Sequence, residues 1–563
     1  MGKHIKKPVA APRTKAALLA SAGIGVFATA SFAQVAAPNA PLKMQTDYFG
    51  YAASASLRGG YSDNINLSRS GLKEDEFSIS TMFSGGAIVS THRVTAIALG
   101  DLDFSYLINQ GDFVVNQNIG ATSTFTGVDN WLYFDLSGAT SRQLLGDQAR
   151  FSGNINAGRN QRANVHNYSA SPYVFHEFSD SSTTELRYRF SQVFVDESGS
   201  LSSFLTGNSV SDSITHEVLA QYDSGRKLDR MRFRLTAYGS DTTEDGVSIF
   251  PDFGYKQGAL SADLQFSLTD RFALSGAVGY DEMETQGAAA VFFNDADLSG
   301  FFWRAGFTAQ PGPRSSIRIE YGERYGDDFI DASARYQISQ RFAFTAGASR
   351  SFRTRAQSVT SQFSTTQRET LEFADRLREG QELPARDIIE AATFYSSGRN
   401  FGSAQTSGVS VTDSAFATLT GDFDMTEISL NGFYSDDNFG YRQIETYGAG
   451  LNLNRRLARR VTGYGSVSYR RTDTAFDPAT CEANPLIFGL DTMDPLFNAV
   501  TDCASLAAQN GVTNTVIGQI GASYRIYENA SIFVEATHTE RFSPNALLEY
   551  NENNLLAGIT VDF

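Results

Sequence analysis

Beyond residue 33 no apolar run approaches the length a membrane helix needs, so a helical membrane protein is excluded. Basic residues are also scarce: 46 Lys and Arg face 62 Asp and Glu, for a formal net charge of −16. A nucleic-acid partner would announce itself as a basic patch, and this balance argues against one. Histidine is sparser still, at six. His4 belongs to the leader, while His92, His166, His176, His216 and His538 are scattered singly. No His-x-x-x-His or Cys-x-x-Cys pair occurs, so the pattern holds no metal signal, and no cofactor site is expected. There is no G-x-S-x-G elbow either, and the chain is read as a non-enzyme with no catalytic residues. Proline (13) and cysteine (2) are few.

What is abundant is Gly (49), Phe (43) and Tyr (24), in a chain only 41% hydrophobic. The 12% aromatic content argues against an acidic disordered protein. Aromatic and Gly enrichment, moderate hydrophobicity and acidic loops suit a transmembrane barrel, in which half of each strand meets lipid and half meets water. The leader fits export. Lys3, Lys6, Lys7, Arg13 and Lys15 precede an uncharged run from Ala16 to Ala30, and Ser31-Phe32-Ala33 offers small residues for cleavage. Residues 1–33 are therefore read as a signal peptide, 34–47 as a periplasmic lead-in and 48–563 as the barrel. Cleavage would take the formal charge from −16 to −21.

The last nine residues carry the pattern most plainly. Val561, Ile559, Ala557 and Leu555 alternate with Asp562, Thr560 and Gly558, and the chain ends on Phe563. The same period of two recurs in Leu186, Tyr188 and Phe190 against Arg187 and Arg189, and in Ile317, Ile319 and Tyr321 against Arg318 and Glu320. A charge at every second position demands one wet face. Connections alternate in length. Ten tight turns, from Ser90–Arg93 to Glu528–Ala530, separate eleven outer connections, most of them longer and polar. The outer set includes Ser62–Asp75, Ser141–Ala163, Asp241–Asp252, Glu282–Leu298, Asp436–Gln443 and Glu540–Tyr550. The fold class expected is all-β: an antiparallel up-and-down barrel of about 22 strands, within a range of 18 to 24. Both termini fall on the turn side.

Two outer connections hold more than loop. In 356–405, Thr365–Glu379 and Pro384–Tyr395 read as two helices, placed in the mouth in preference to outside it. In 472–512, Cys481 and Cys503 lie 22 residues apart and read as a disulfide that limits loop motion. Asp63, Asn64 and Glu74–Glu76 admit a calcium site, but a solvated acidic loop is the better reading. A plugged active transporter shares the strand count but needs a folded plug ahead of its first strand, and only Gln34–Asp47 stands there, so that class is set aside.

The ending of Phe563, Val561 and Ile559 resembles the C-terminal signature of bacterial outer-membrane barrels, which implies the barrel-assembly machinery and outer-membrane lipid as partners. G-Y-S-D-N-I-N-L-S (Gly60 to Ser68) resembles the "G-Y-x-D-N" opening of an outer-membrane barrel family found with exopolysaccharide export and PEP-CTERM sorting systems. Y-S-A-S-P-Y-V-F-H-E-F (Tyr168 to Phe178), followed by E-L-R-Y-R-F (Glu185 to Phe190), is similar to that family's paired strands. The resemblance covers roughly Tyr48 to Val195; the 356–405 insertion and the cysteine loop have no match in it. It implies an outer-membrane conduit for an exopolysaccharide, with export components as partners. The alternative is a general diffusion porin. Alternation points Arg187, Arg189, Arg232, Arg234, Arg304, Arg318, Arg335, Arg470 and Arg525 inward, against fewer inward acids (Glu185, Glu320 and Glu535). The lumen wall is therefore expected to be net basic and to favour anions.

Overall fold

The computed structural model describes residues 41–563 apart from 45, 47, 145–149, 180, 197–211, 226–227, 229, 246–251, 288, 313, 355–382, 385–408, 441, 477, 484, 486–497 and 510. In chain order the strands are β1 Pro41–Met44, β2 Phe49–Ser62, β3 Glu76–Ser90, β4 Val94–Leu107, β5 Asp112–Val128, β6 Leu132–Leu144, β7 Arg162–Glu177 and β8 Thr183–Asp196. There follow β9 Ser213–Asp223, β10 Met231–Glu244, β11 Phe253–Thr269, β12 Phe272–Gly287, β13 Gly300–Gly312, β14 Ser315–Arg324, β15 Asp327–Gln337 and β16 Phe342–Thr354. The last are β17 Leu383–Pro384, β18 Val409–Phe423, β19 Thr426–Asn438, β20 Arg442–Ala458, β21 Val461–Phe476, β22 Thr513–Tyr527, β23 Ala530–Phe542 and β24 Tyr550–Asp562.

Leaving out the short β1 and β17, 22 strands pair antiparallel with their neighbours, β16 passing directly to β18. The ring closes where β2 meets β24, from Ser54 opposite Asp562 to Ser62 opposite Asn554. At this seam the Ser56 and Thr560 hydroxyls are 2.9 Å apart, and the Phe563 N–H donates to the Ala53 carbonyl at 2.9 Å. Closure leaves no unpaired edge, the condition for a sheet in hydrocarbon.

The surface is inverted relative to that of a soluble protein. Ser56, Asp103, Ser105 and Thr560 are buried, whereas Leu260 is 64% exposed, Ile520 70% and Leu57 55%. Burying hydroxyls while exposing large aliphatics costs free energy in water and gains it in lipid. With its aromatics Tyr106, Phe113, Tyr188, Phe301, Tyr524 and Tyr527 also turned outward, the molecule is an outer-membrane β-barrel, and its place is the cell outer membrane.

All ten expected turns join consecutive strands at one end, and the eleven outer connections stand at the other. The outer connections are shorter than expected, because pairing continues above the lipid band. β10 runs to Glu244, β12 to Gly287, β19 to Asn438 and β21 to Phe476, each inside a span read as loop. A period-two signal fades where both faces are polar, but the backbone ladder needs no apolar face to persist.

Of the helical hairpin expected at Thr365–Glu379 and Pro384–Tyr395, only Pro384 lies within the described residues. It is strand-paired: Pro41 stands opposite Pro384 and Leu42 opposite Leu383, in a segment that continues through Lys43 opposite Tyr51. This places β17 beside the first residues of β2, at the turn-side end, although its connection leaves the barrel from the opposite end.

Candidate functional site: the lumen wall and its outer mouth

Alternation delivers the inward side chains, and their chemistry divides the wall into two arcs. From β6 to β16 guanidinium groups meet carboxylates. Arg187 reaches Asp135 at 2.9 Å and Glu185 at 2.6 Å, while lying over the Tyr173 ring at 3.7 Å. Arg189 pairs with Glu217, which also accepts from the Tyr238 hydroxyl. Arg232 and Arg234 share Asp223 at 2.7 and 3.0 Å. Arg304 sits among Asp263, Glu320 and Asp331, and Arg318 also bonds Glu320.

The net-basic wall expected from the sequence is therefore corrected. These six arginines face the lumen, but Asp135, Glu185, Glu217, Asp223, Asp263, Glu320 and Asp331 stand against them. Of the other three, Arg470 donates to Thr472 Oγ1 and covers the Phe151 ring. Arg335 and Arg525 are exposed near the turns, with no ion pair among the described residues.

The remaining arc, β18 through the seam to β5, carries mainly hydroxyls and amides: Thr412, Asn431, Ser468, Gln519, Thr537, Ser84 and Asn118 are all buried on it.

Over this arc the outer mouth is narrowed by a connection that sequence reading left as a plain outer loop. Residues 150–161 fold inward. Asn156 donates to Ser105 at 3.0 Å and accepts from Asn116 at 2.8 Å, and Arg142 donates to Asn116 at 2.8 Å. Arg150 donates to the Leu67 carbonyl at 2.8 Å, and the Tyr550 hydroxyl to that of Phe151 at 2.7 Å. Gly158 adopts φ 62°, which frees the chain to turn, and its N–H reaches the Ile65 carbonyl at 2.9 Å.

At the centre of this contact is Glu552, 1% exposed, which accepts from Ser62 (2.7 Å), Ser152 and Asn154 (3.4 Å). No cation pairs with it among the described residues. Burial pushes its carboxyl up to about 7, Asp63 adds to the rise, and the three donors oppose it. At this height His538, Glu540 and Asn553 point outward, so Glu552 lies above the lipid band. No motif marks the infold. Its only sequence trace is the run of short polar residues Ser152, Gly153, Asn154 and Asn156, a composition shared by ordinary loops.

The remaining outer residues have structural roles. Asp63 pairs with Lys73 at 3.3 Å and accepts from the Asn553 N–H at 2.7 Å; Glu76 accepts from the Asn109 and Gln110 N–H groups. Asn64 is buried, donating to two backbone carbonyls. Among the described residues no three His, Cys, Asp or Glu side chains group as metal ligands. Cys481 and Cys503 are bonded, Cα atoms 5.8 Å apart, and link the helices Pro478–Ala483 and Ala499–Gln509. Ile559 and Phe563 face outward beside the seam, at 39% and 71% exposure.

Fold and surface define an outer-membrane β-barrel. No family model matches the chain, and no curated protein does. Solved structures similar to it include the siderophore receptor PirA from Acinetobacter baumannii, at 9% identity over 91% of this chain and 80% of that one, TM-score 0.47. The ferric-catecholate import receptor Fiu from E. coli K12 is similar at 10% identity over 92% and 82%, TM-score 0.46. PirA from Pseudomonas aeruginosa is similar at 9% identity over 92% and 81%, TM-score 0.42. At this level likeness of shape carries no likeness of role.

Proposed function

We propose that the barrel is a conduit for a hydrophilic polymer crossing the outer membrane, an exopolysaccharide leaving the cell. The observation that supports this is the wall itself: hydroxyls and amides on one arc, fixed guanidinium–carboxylate pairs on the other, and stacked Tyr133 and Tyr173 (5.2 Å) beside Arg187. A sugar chain is a dense series of hydroxyls with apolar ring faces, and exchanges water for such groups and aromatic planes at little net cost. The G-Y-S-D-N opening and the Tyr168–Phe190 strands add the family resemblance. Outer-membrane lipid, the barrel-assembly machinery and export components would be its partners.

The test is a deletion strain scored for extracellular polysaccharide, together with the reconstituted barrel in planar bilayers. Loss of secreted polymer and current blockade by polymer added on the turn side are expected. Unchanged secretion with lost uptake of small solutes would establish the diffusion porin instead.

A further inference from the structure

One stretch of the turn side is dense in arginine. Arg455 and Arg456 close β20, Arg459 and Arg460 form the turn into β21, and the Arg525 N–H donates to the Arg460 carbonyl at 2.8 Å from β22. All five side chains are exposed. Asp422, Asp424, Glu427 and Glu528 lie on the neighbouring turns and strand ends, yet none of these five arginines has an ion pair among the described residues. By register Arg456 and Arg525 stand on the lumen side, while Arg455 and the turn-tip Arg459 and Arg460 form an outer cluster of cations open to a mobile or bound anion.

Its position names the anion. A register shift between Arg456 and Ala458 breaks the alternation here, and Arg455 is flanked by Leu453 and Leu457, 43% and 61% exposed on the lipid side. Tyr527, 71% exposed, ends the adjoining strand. Aliphatic, aromatic and guanidinium groups in that order mark the level where hydrocarbon gives way to headgroups. We propose that Arg455 and the turn residues Arg459 and Arg460 bind the phosphodiester headgroups of anionic phospholipids in the periplasmic leaflet. Guanidinium forks match phosphate oxygens bidentately, and basic clusters at a membrane surface select anionic lipid. The site would pin this sector of the rim to its leaflet.

Native mass spectrometry of the full barrel, released from detergent after titration with cardiolipin, phosphatidylglycerol or phosphatidylcholine, tests this. Retention of the two anionic lipids is expected and of phosphatidylcholine is not; R455Q/R459Q/R460Q should weaken retention at least tenfold, and Arg69→Gln in an outer loop should not. If the threefold variant loses its heat-modifiable folded form, R459Q/R460Q at the turn tip should still weaken retention severalfold. Equal retention by variant and wild type, or of all three lipids alike, overturns the proposal. Complete displacement by millimolar inorganic phosphate would assign the patch to a free anion. Displacement by an acidic polysaccharide would assign it to a polymer, and either result rejects a lipid site.

Discussion

Two outer connections lean over the mouth, and they are held by opposite means. Residues 150–161 are tied by a buried polar network around Glu552 and Asn156. The Ala289–Phe292 and Asp295–Leu298 helices pack instead on Phe253, Tyr255, Met283, Phe352 and Val411, with Phe293 and Tyr325 closing over Phe352. They fill the gap above the short β14–β15 turn, where the Asp297 backbone comes close to Gly326. Apolar packing acts over the same range of pH as the barrel itself, because no carboxyl stands at its centre. A network centred on an unpaired carboxylate does not. The contrast makes one loop permanent furniture and the other conditional.

The comparison is broken most severely at Phe352. Phe352→Ala empties the centre of the aromatic cluster and should cost about 3–5 kcal/mol locally. Proteolysis within 288–299 should then become rapid, equally at pH 6 and pH 8; unchanged resistance would show that the Asp295–Thr285 hydrogen bonds carry the loop alone.

The second effect is pH. The folded carboxyl of Glu552 lies near 7 against an ordinary 4.5, so the folded loop keeps a proton that the unfolded chain releases. Stability is greatest below 4.5 and is lost as pH rises toward and through 7, by about 3 kcal/mol in all. Asp63 and Tyr550 are its titratable neighbours, with Arg150 and Arg541 beside Tyr550. Hydrogen exchange of 150–161, corrected for intrinsic rates, should quicken between pH 6 and pH 8, and Glu552→Gln should abolish that dependence. A flat profile in the wild type would remove the distinction between the two loops.

A smaller effect sharpens the contrast. Asn156→Ala strands Asn116 and Ser105 and should weaken the infold by about 1–2 kcal/mol at any pH, seen as faster exchange at 150–161 with 289–298 unaltered. The least effect is none: reducing Cys481–Cys503 should leave protection of both loops as it was. A change in either would show that the cysteine loop buttresses the mouth.

The barrel was legible because it repeats. Every strand such as Leu186–Phe190 states its own two faces, and every short turn between such strands states its side. What the wall does with its charges was not legible, because partners come from other strands: Asp135 lies 52 residues before Arg187 and Asp263 41 before Arg304. Counting inward arginines along one strand at a time missed the acids that neutralise them. The infold was hidden for a related reason. Ser152 meets Glu552 across 400 residues, a relation no local period encodes, and the insertion at 356–405 lies largely outside the described residues.

The seam has a consequence for the order of events in folding. Ser56 and Thr560 are 504 residues apart, so the contact that shuts the cylinder is among the most distant the chain can make. Closing so long a segment is slow, and nothing in the hairpins between can substitute for it. Until Phe563 has been synthesised and delivered, β2 and every hairpin built on it must wait as an open sheet whose free flank can pair with any exposed strand nearby. Loss of the last residues therefore removes little packing but takes away the moment of completion, and a truncated chain should accumulate as unclosed sheet rather than as a slightly weaker barrel.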